Sequence, residues 1–257
     1  DHLAPPVEHG AHGAHLLAHA LDVLIGTPHG MDAVPDGGIH WVLQAEQLGT
    51  GHAVLQAESV LRGQTDLVLV TYADMPLLRP ETLKLLVETQ KKNRGPVTIM
   101  TVVTSDPRGF GRVVRGPDGS VLEVVEEIAA TPEQLSINEL NAGAYCFRAE
   151  WLWDALHRIP VSKKGEYFLT DTVGLATADG LKVKAVISDD LVETIGINTR
   201  VQLAEAEAAM RKRINTGHML AGVTLVDPAS TFIEPDVVIG RDTVVWPNTH
   251  LRGETVI

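Results

Sequence analysis

The stretch that decides the fold is Gln44-Ala-Glu-Gln-Leu-Gly-Thr-Gly-His-Ala53. It leaves a strand-like run at 39–43 and enters a helix-like run at 53–61, with two glycines flanking Thr50 at the junction. Glycine lets the backbone pass close to a ligand, and a helix N-terminus offers unpaired amide donors with positive partial charge. This unit therefore suits a nucleotide or phosphate ligand, although the same residues also fit a helix that Thr50 merely caps.

The chain from residue 39 onward alternates strand-like and helix-like runs. The run at 66–72 is short, apolar and β-rich, as is typical of a buried parallel strand, and the run at 80–93 begins with a proline at a tolerated early helical position. This alternation predicts an α/β fold with a mostly parallel sheet and helices on both faces. A hairpin at 111–125 interrupts it around a Gly-Pro-Asp-Gly turn. We predict further strands at 96–103, 141–148, 181–187 and 193–197, and further helices at 151–157, 170–178 and 201–214.

The last part of the chain follows a different period. Aliphatic residues recur every six positions after Gly222, at Ile233, Ile239, Val245, Leu251 and Ile257. Neither a helix nor an ordinary strand repeats at six, whereas hexapeptide repeats build a left-handed parallel β-helix with the aliphatic side chains stacked inside. The run is too short to bury its own core. We therefore expect the β-helix to continue beyond Ile257 or to be capped.

Charge and composition exclude several classes of protein. The 257 residues carry a net charge of -12, which argues against non-specific nucleic-acid binding. One cysteine, Cys146, rules out an internal disulfide, and the apolar runs are too short to span a membrane. With no signal peptide at its start, we expect a cytoplasmic protein without membrane insertion. Because the sequence begins at Asp1 without methionine, we expect a fragment of a longer protein.

Four polar residues stand where predicted strands end. Asp74 follows the 66–72 strand, and the ends of parallel strands are where α/β sheets bind ligands. A carboxylate there commonly holds Mg²⁺ that is bound to substrate phosphates. Glu126, Asn141 and Asn198 occupy similar places at other strand ends. Taken singly, each of the four is also compatible with a turn or capping role.

Taken together, the motifs identify a family. The ten-residue stretch above and Tyr72-Ala-Asp-Met-Pro-Leu-Leu78 occur in the order and spacing of the bacterial bifunctional N-acetylglucosamine-1-phosphate uridylyltransferase/glucosamine-1-phosphate acetyltransferase family, which the chain resembles from about residue 40 to 257. The other shared motifs are Gly109-Phe-Gly-Arg112, Glu126, Asn141-Ala-Gly143, Gly165-Glu-Tyr-Phe-Leu-Thr-Asp171, Gly196-Ile-Asn-Thr-Arg200 and the run from Arg213 to Pro228.

The resemblance implies an organisation in three parts. A Rossmann-like nucleotidyltransferase domain would occupy residues 1–200, a linker helix 201–221, and the first coils of a left-handed parallel β-helix 222–257. The implied reaction is Mg²⁺-dependent transfer of UMP from UTP to N-acetylglucosamine-1-phosphate, which gives UDP-N-acetylglucosamine for cell-wall precursor synthesis. Acetyltransferase activity is expected only in the full-length protein, which the resemblance implies to be a homotrimer built through its β-helix.

The resemblance also assigns roles to individual residues. Gln44, Gly49 and Thr50 would hold the uracil and neighbouring groups, and 72–74 would line the nucleotide. The residues implied to bind the sugar are Gly111, Glu126 and Asn141. The residues implied to bind Mg²⁺, and so to serve catalysis, are Asp74 and Asn198; Tyr72 and Ala73 complete the set that is implied to bind substrate.

The sequence departs from the family pattern in three ways. The family's Gly-x-Gly-Thr-Arg triphosphate loop is absent, and the stretch from Asp22 to Gln44 is about a dozen residues short. In an ungapped match, Pro6 falls where the family has its phosphate-binding lysine. Ala73 replaces the usual glycine, which would cost about 1 kcal/mol if that position needs a positive φ.

Two other interpretations stay open, and these departures favour the second of them. One is a nucleotidyltransferase for another sugar phosphate. The other is a catalytically impaired homologue that serves as a trimer assembly module. We expect turnover of N-acetylglucosamine-1-phosphate against glucose-1-phosphate to separate the first alternative from uridylyl transfer, and pyrophosphate release by the full-length protein to separate the second.

Overall fold

The computed structural model describes residues 22–26, 39–107 and 109–257. Pro6 and most of the shortened stretch before Gln44 lie outside the described residues. Contacts divide the chain into two units, one made of residues 1–72 and 79–189 and the other of residues 73–78 and 190–257. The strands of the first unit are β1 (Asp22–Gly26), β2 (Ile39–Leu43), β3 (Leu67–Val70), β4 (Val97–Val103), β5 (Arg112–Arg115), β6 (Val121–Val125), β7 (Glu139–Arg148) and β8 (Lys184–Ser188). Its helices are α1 (Thr50–Leu55), α2 (Glu58–Leu61), α3 (Pro80–Lys92), α4 (Pro132–Leu135), α5 (Ala149–Leu156) and α6 (Asp171–Ala178).

Strand β7 organises the main sheet of the first unit. It pairs antiparallel with β4 on one side and with β3 and β5 on the other, while β4 pairs parallel with β8 and β5 antiparallel with β6. Four of these six strands therefore run in one direction, and β6 and β7 run in the other. Strands β1 and β2 form a separate parallel pair. The α/β class is confirmed, and the sheet is mixed because β7 is inserted against the common direction.

Burial explains why the sequences of β4 and β7 are mainly apolar. All of Val97–Val103 except its last residue is buried, and so are eight consecutive residues of Glu139–Arg148. A strand covered on both faces needs no polar alternation. The core beside them includes Phe147, Leu152 and Trp153, each 0% exposed, so the sheet that carries the loops is anchored in a packed core.

The second unit is built around one long helix. Helix α7 (Arg200–Leu220) begins at the cap of Thr199, whose hydroxyl accepts from the Gln202 amide at 3.2 Å. The helix is longer than the run at 201–214 that the sequence pattern predicts, and Leu203 within it is 44% exposed. The strand predicted at 193–197 is wrong, because Leu191–Thr194 forms a 3₁₀ turn that Asp190 caps through the Val192 amide at 3.0 Å.

Short parallel strands follow α7. Strand β9 (Thr224–Leu225) pairs with β11 (Val244–Val245), and β10 (Phe232–Ile233) pairs with β12 (His250–Leu251). The second pairing joins residues 18 positions apart, or three hexads, and a further parallel bridge joins Val238 to Val256. Hexad residues Ile233, Ile239 and Val245 are buried. Ile257 is 51% exposed.

Asn215 fastens α7 to this segment. The side chain is 1% exposed, and its amide nitrogen donates to the carbonyl oxygens of Pro228 at 2.9 Å and Thr231 at 3.0 Å. A buried amide that donates to two carbonyls stabilises a junction, because its loss would leave both carbonyl oxygens without these hydrogen bonds. The described part of the chain contains no helix that is long and apolar enough to cross a membrane.

Candidate active site

The loop between β2 and α1 is fixed by backbone contacts to a second loop. Gly49 has φ +98°, and a Cβ there would lie 2.6 Å from the carbonyl oxygen of Tyr167. The Gly51 amide donates to that same oxygen at 2.8 Å, and the Tyr167 amide donates to the Leu48 carbonyl at 2.8 Å. Only glycine fits at position 49, for reasons of both backbone conformation and space.

The structure decides how Thr50 is used. It is the first residue of α1 rather than its cap, which is Gly49, and its hydroxyl accepts a hydrogen bond from the Leu169 amide at 3.0 Å. The interpretation of Thr50 as a simple helix cap is therefore wrong. Because the Gly51 amide already has a partner, the turn does not present it to a phosphate.

Gln44, directly after β2, completes this cluster. Its side-chain nitrogen lies 3.2 Å from the Gly49 carbonyl oxygen and 3.0 Å from Nδ1 of His52. The residues implied to hold uracil therefore lie together. The strand supplies Gln44, and the glycine turn brings the chain back beside it.

The three residues implied to bind the sugar also lie together. The backbone amide of Asn141 donates to the Gly111 carbonyl at 2.9 Å. A Cβ on Gly111 would lie 3.7 Å from Oε2 of Glu126. The Asn141 side chain is 6% exposed and donates to the Tyr145 hydroxyl at 2.6 Å. The pKa of Tyr145 is raised well above its usual value, chiefly by burial and secondly by the neighbouring Tyr72 hydroxyl. Tyr145 therefore stays neutral.

Glu126 faces an open cleft of about 470 Å³. One of its oxygens accepts from the Thr170 hydroxyl at 2.7 Å, and Thr170 is 1% exposed. Asp171 follows Thr170, and its pKa is raised by burial first and then by Glu126 and Glu123. The cleft is lined by Gly109, Glu126, Glu127, Ile128, Lys164, Glu166 and Phe168.

One segment, residues 166–171, serves both clusters. Glu166 and Phe168 line the cleft, while the backbones of Tyr167 and Leu169 hold the Gly49 turn. The motif is shared with the family but has no role assigned by the resemblance, and Lys164 was not predicted to lie in the cleft. The pair of lysines directly before the motif is the signal that could have pointed to a cation there.

The residues implied to hold Mg²⁺ belong to the second unit. The Ile197 amide donates to the Asp74 carbonyl at 2.9 Å, which brings the 73–78 segment beside the one that carries Asn198. The Asp74 and Asn198 side chains are both exposed. Ala73 is not among the residues with a positive φ, so its replacement of glycine costs no backbone strain.

The chemistry of these donors fits Mg²⁺. A carboxylate and an amide supply hard oxygen ligands, and Mg²⁺ is commonly held by one or two carboxylates together with waters and substrate phosphates. Among residues 22–26, 39–107 and 109–257, no group of three or more His, Cys, Asp or Glu side chains could hold a metal. A complete protein cage of such residues is therefore not present in that part of the chain, and a substrate would have to contribute ligands.

Comparison with known proteins agrees with the resemblance. Residues 35–209 match the family of nucleotidyl transferases. The chain is 44% identical over 266 residues to the bifunctional protein GlmU of Exiguobacterium sp., with 98% of this chain and 58% of that protein covered. It is 48% identical over 220 residues to the bifunctional protein GlmU of Geobacter metallireducens, with 85% and 46% covered.

The chain thus spans about half the length of the curated relatives it matches. The alignment with the Exiguobacterium protein covers 266 residues, which exceeds the 257 residues of this chain. The Exiguobacterium protein therefore has residues with no counterpart in this chain. Placing this shortening between Asp22 and Gln44 stays a prediction. A crystal structure of UDP-glucose pyrophosphorylase complexed with UDP-glucose is similar at 17% identity and a TM-score of 0.49, with 68% of this chain and 66% of that one covered.

Proposed function

The chain belongs to the nucleotidyl transferase family, and from that premise we propose that it transfers UMP from UTP to N-acetylglucosamine-1-phosphate. The products are UDP-N-acetylglucosamine, a cell-wall precursor, and pyrophosphate. The sugar phosphate is itself the nucleophile, so no covalent intermediate on Ser, Cys or His is required. An oxygen of the sugar phosphate attacks the α-phosphorus of UTP, and the bond to the pyrophosphate oxygen breaks.

The observation that carries this proposal is the shared anchor at 166–171. It holds the Gly49 turn on one side and the Glu126 carboxylate on the other. Two substrates that must react need to be held in one fixed geometry, because positioning supplies much of the rate in phosphoryl transfer. In this proposal Gln44, Gly49 and Thr50 hold the base, and Tyr72 and Ala73 line the nucleotide.

The sugar subsite follows from the second cluster. Glu126 accepts a sugar hydroxyl in the cleft, Gly111 packs closely against Val124 beside the Glu126 carboxylate, and Asn141 is held in place by Tyr145. A carboxylate next to a closely packed glycine suits a neutral, hydroxyl-rich ring. These features support a sugar phosphate as the acceptor. That the sugar carries an N-acetyl group is inferred from the resemblance to the family.

Asp74 and Asn198 would hold Mg²⁺, which when bound neutralises the charge that develops on the phosphates. The exposed Asp74 would supply a charged carboxylate oxygen, and the exposed Asn198 would supply a neutral amide oxygen. The Ile197–Asp74 backbone bond keeps the two chain segments in register without using either side chain. Both side chains therefore remain available for the ion.

We further propose that residues 1–200 form the nucleotidyltransferase domain, 201–221 a linker helix and 222–257 the first coils of a left-handed β-helix. The 18-residue parallel pairing and the buried hexad positions support the β-helix. Exposed apolar side chains support trimer formation through it: Val226, Val238, Val244, Trp246 and Val256.

Acetyltransferase activity would belong to the full-length protein. A single buried cysteine is compatible with a cytoplasmic location.

A pyrophosphate-release assay on the intact protein tests the reaction class. We expect release only when UTP, Mg²⁺ and N-acetylglucosamine-1-phosphate are all present, and none when EDTA removes the metal. Release that proceeds equally without the sugar phosphate would indicate a nucleotide hydrolase. The absence of release from folded protein would instead favour the assembly-module alternative.

A further inference from the structure

The open cleft beside Glu126 carries two apolar side chains that the proposed chemistry does not use. Of the cleft-lining residues in the described part of the chain, five are glycine or charged, and Ile128 and Phe168 are apolar. Ile128 is 63% exposed. Single exposed apolar side chains are ordinary on a protein surface, so this exposure alone indicates nothing. Its position in a concave cleft is what makes Ile128 informative, because ligand sites combine apolar surface with a few polar groups.

The turn that carries Ile128 is anchored on both sides of it. The Glu127 carboxylate accepts a hydrogen bond from Nη2 of Arg112 at 3.0 Å, and Arg112 is 2% exposed. The Ala129 amide donates to the Glu126 carbonyl at 2.9 Å. Moving this turn would leave the buried Arg112 guanidinium without its counter-charge, which is strongly destabilising. The backbone at Ile128 is therefore fixed, and its side chain is held at the cleft.

Phe168 is fixed through its two neighbours in sequence. The Tyr167 amide donates to the Leu48 carbonyl at 2.8 Å, and the Leu169 amide donates to the Thr50 hydroxyl at 3.0 Å. Both apolar side chains of the cleft therefore stand on anchored backbone. A ligand can contact them without a rearrangement of the chain, which reduces the entropy lost on binding.

The charged side chains of the cleft decide which part of a substrate it suits. Three carboxylates line the cleft, those of Glu126, Glu127 and Glu166. Lys164 adds one positive charge, and Arg112 neutralises Glu127. Carboxylates accept hydrogen bonds from hydroxyl and amide N–H groups and repel anions. The cleft therefore suits an uncharged part of a substrate that combines such donors with a small apolar group.

We propose that Ile128 and Phe168 form an acyl wall, which contacts the methyl group of the N-acetyl substituent and so selects an N-acylated sugar phosphate. The acetamido group offers an N–H donor together with a methyl group, whereas glucose has a hydroxyl at that carbon and offers no apolar group. One methyl group bound against apolar side chains contributes about tenfold discrimination. The inference rests on the proposed function, since it takes the sugar ring to lie beside Glu126. It adds two residues that the set implied to bind the sugar does not include.

Substitutions at Ile128 separate recognition of the methyl group from other contacts with the sugar. Ile128→Ser removes the apolar surface, and Ile128→Val keeps most of it. Leu135→Ser is the matched control, because Leu135 is 43% exposed and is not among the residues that line the cleft. The readout is the ratio of kcat/KM for N-acetylglucosamine-1-phosphate over N-formylglucosamine-1-phosphate, measured with UTP, Mg²⁺ and the intact protein. The N-formyl acceptor keeps the amide and lacks the methyl group, so this ratio reports the methyl contact.

We expect the wild-type protein to prefer the N-acetyl acceptor about tenfold. Ile128→Ser should lower this preference about fourfold, which is the contribution of one buried methylene group. Ile128→Val should keep it within about twofold, and Leu135→Ser should leave it unchanged. The inference is overturned if the wild-type protein shows no preference, or if folded Ile128→Ser lowers the ratio no more than Leu135→Ser does. Circular dichroism and thermal melting establish that the variants fold, as the exposure of both positions leads us to expect.

NMR of protein labelled at isoleucine methyl groups and phenylalanine rings tests the contact without turnover. With N-acetylglucosamine-1-phosphate added, a nuclear Overhauser effect from the acetyl methyl group to Ile128 and Phe168 supports the inference. Its absence overturns the inference, whether or not the ligand binds elsewhere. If the wild-type protein releases no pyrophosphate with either acceptor, the proposed function fails, while the NMR spectrum still decides whether the acyl wall contacts the methyl group. Pyrophosphate release with an unchanged acceptor ratio in Ile128→Ser overturns the inference alone.

Discussion

The two regions that we propose to serve one reaction are built in opposite ways. The Gly49 turn of the first unit is held on every side, by Tyr167, by Leu169 and by the Gln44 amide. Asp74 and Asn198 of the second unit are joined through one backbone hydrogen bond to Ile197, and their side chains are exposed. Recognition of a base requires fixed polarity, whereas a metal ligand that shares its ion with a substrate must stay accessible. The difference predicts that substitutions in the turn act on folding and that substitutions at Asp74 act on turnover.

The largest effect is expected from Asp74→Asn. Loss of the carboxylate would lower kcat about 10²–10³-fold, because charge neutralisation at the phosphates is lost. The melting temperature would stay unchanged, since the side chain is exposed and the backbone bond to Ile197 remains. Pyrophosphate release and differential scanning fluorimetry on the same samples measure both quantities.

Asp236→Asn is the control for that experiment, because Asp236 is an exposed aspartate of the same unit. It should leave both kcat and the melting temperature unchanged. A large drop in the melting temperature of Asp74→Asn would contradict the assignment of Asp74 to chemistry rather than to structure.

Gly49→Ala tests the other side of the comparison. The added Cβ would meet the Tyr167 carbonyl oxygen at 2.6 Å in a backbone with φ +98°, so we expect a loss of about 3 kcal/mol in the free energy of unfolding. Gly63→Ala is a matched control, since Gly63 has φ +75° and open space around its Cβ position. It should lose only about 1 kcal/mol. Equal losses in urea unfolding would show that the turn has room to relax.

Thr170→Val probes the anchor between the two clusters. Removing the buried hydroxyl frees the Glu126 carboxylate, and we expect the KM for the sugar phosphate to rise about tenfold with kcat changed less. Thr177→Val, in helix α6 that follows Thr170, removes a hydroxyl that instead donates to the carbonyl oxygens of Leu122 and Gly174. If both variants change KM equally, the effect comes from the helix and not from Glu126.

The smallest effect is expected from Asp171→Asn. Burial and then Glu126 and Glu123 raise the pKa of Asp171, so the folded state holds its proton more tightly than the unfolded chain, whose value is 3.8. Its favourable contribution to stability is present below that value and is lost as pH rises through the folded pKa. The asparagine variant should therefore melt a few degrees higher at pH 7 and show no gain near pH 3. A gain that is equal at both pH values would contradict this origin.

Sequence patterns predicted the elements best where one physical cause dominates. The buried runs at β4 and β7 and the hairpin at Gly116–Gly119 needed only local chemistry, and the six-residue period matched the burial of Ile233, Ile239 and Val245. The antiparallel insertion of β7 was not predictable, because its neighbours are distant in sequence and its apolar run suits either direction.

The candidate site shows the same limit. Glycine and polar residues at strand ends marked Gly49, Asp74 and Glu126, but the anchoring role of 166–171 depends on contacts more than a hundred residues away in sequence, such as that between Leu169 and Thr50. The polarity of Gln44 likewise depends on which of its amide atoms faces Gly49. Local patterns carry no information on such contacts.

The most direct test of the central claim is a ³¹P NMR time course on the intact protein with UTP, Mg²⁺ and an equimolar mixture of N-acetylglucosamine-1-phosphate and glucose-1-phosphate. The account predicts that UDP-N-acetylglucosamine and pyrophosphate appear together in equal amounts while glucose-1-phosphate remains. Formation of UDP-glucose at an equal or higher rate, or of no pyrophosphate by the folded protein, would contradict it.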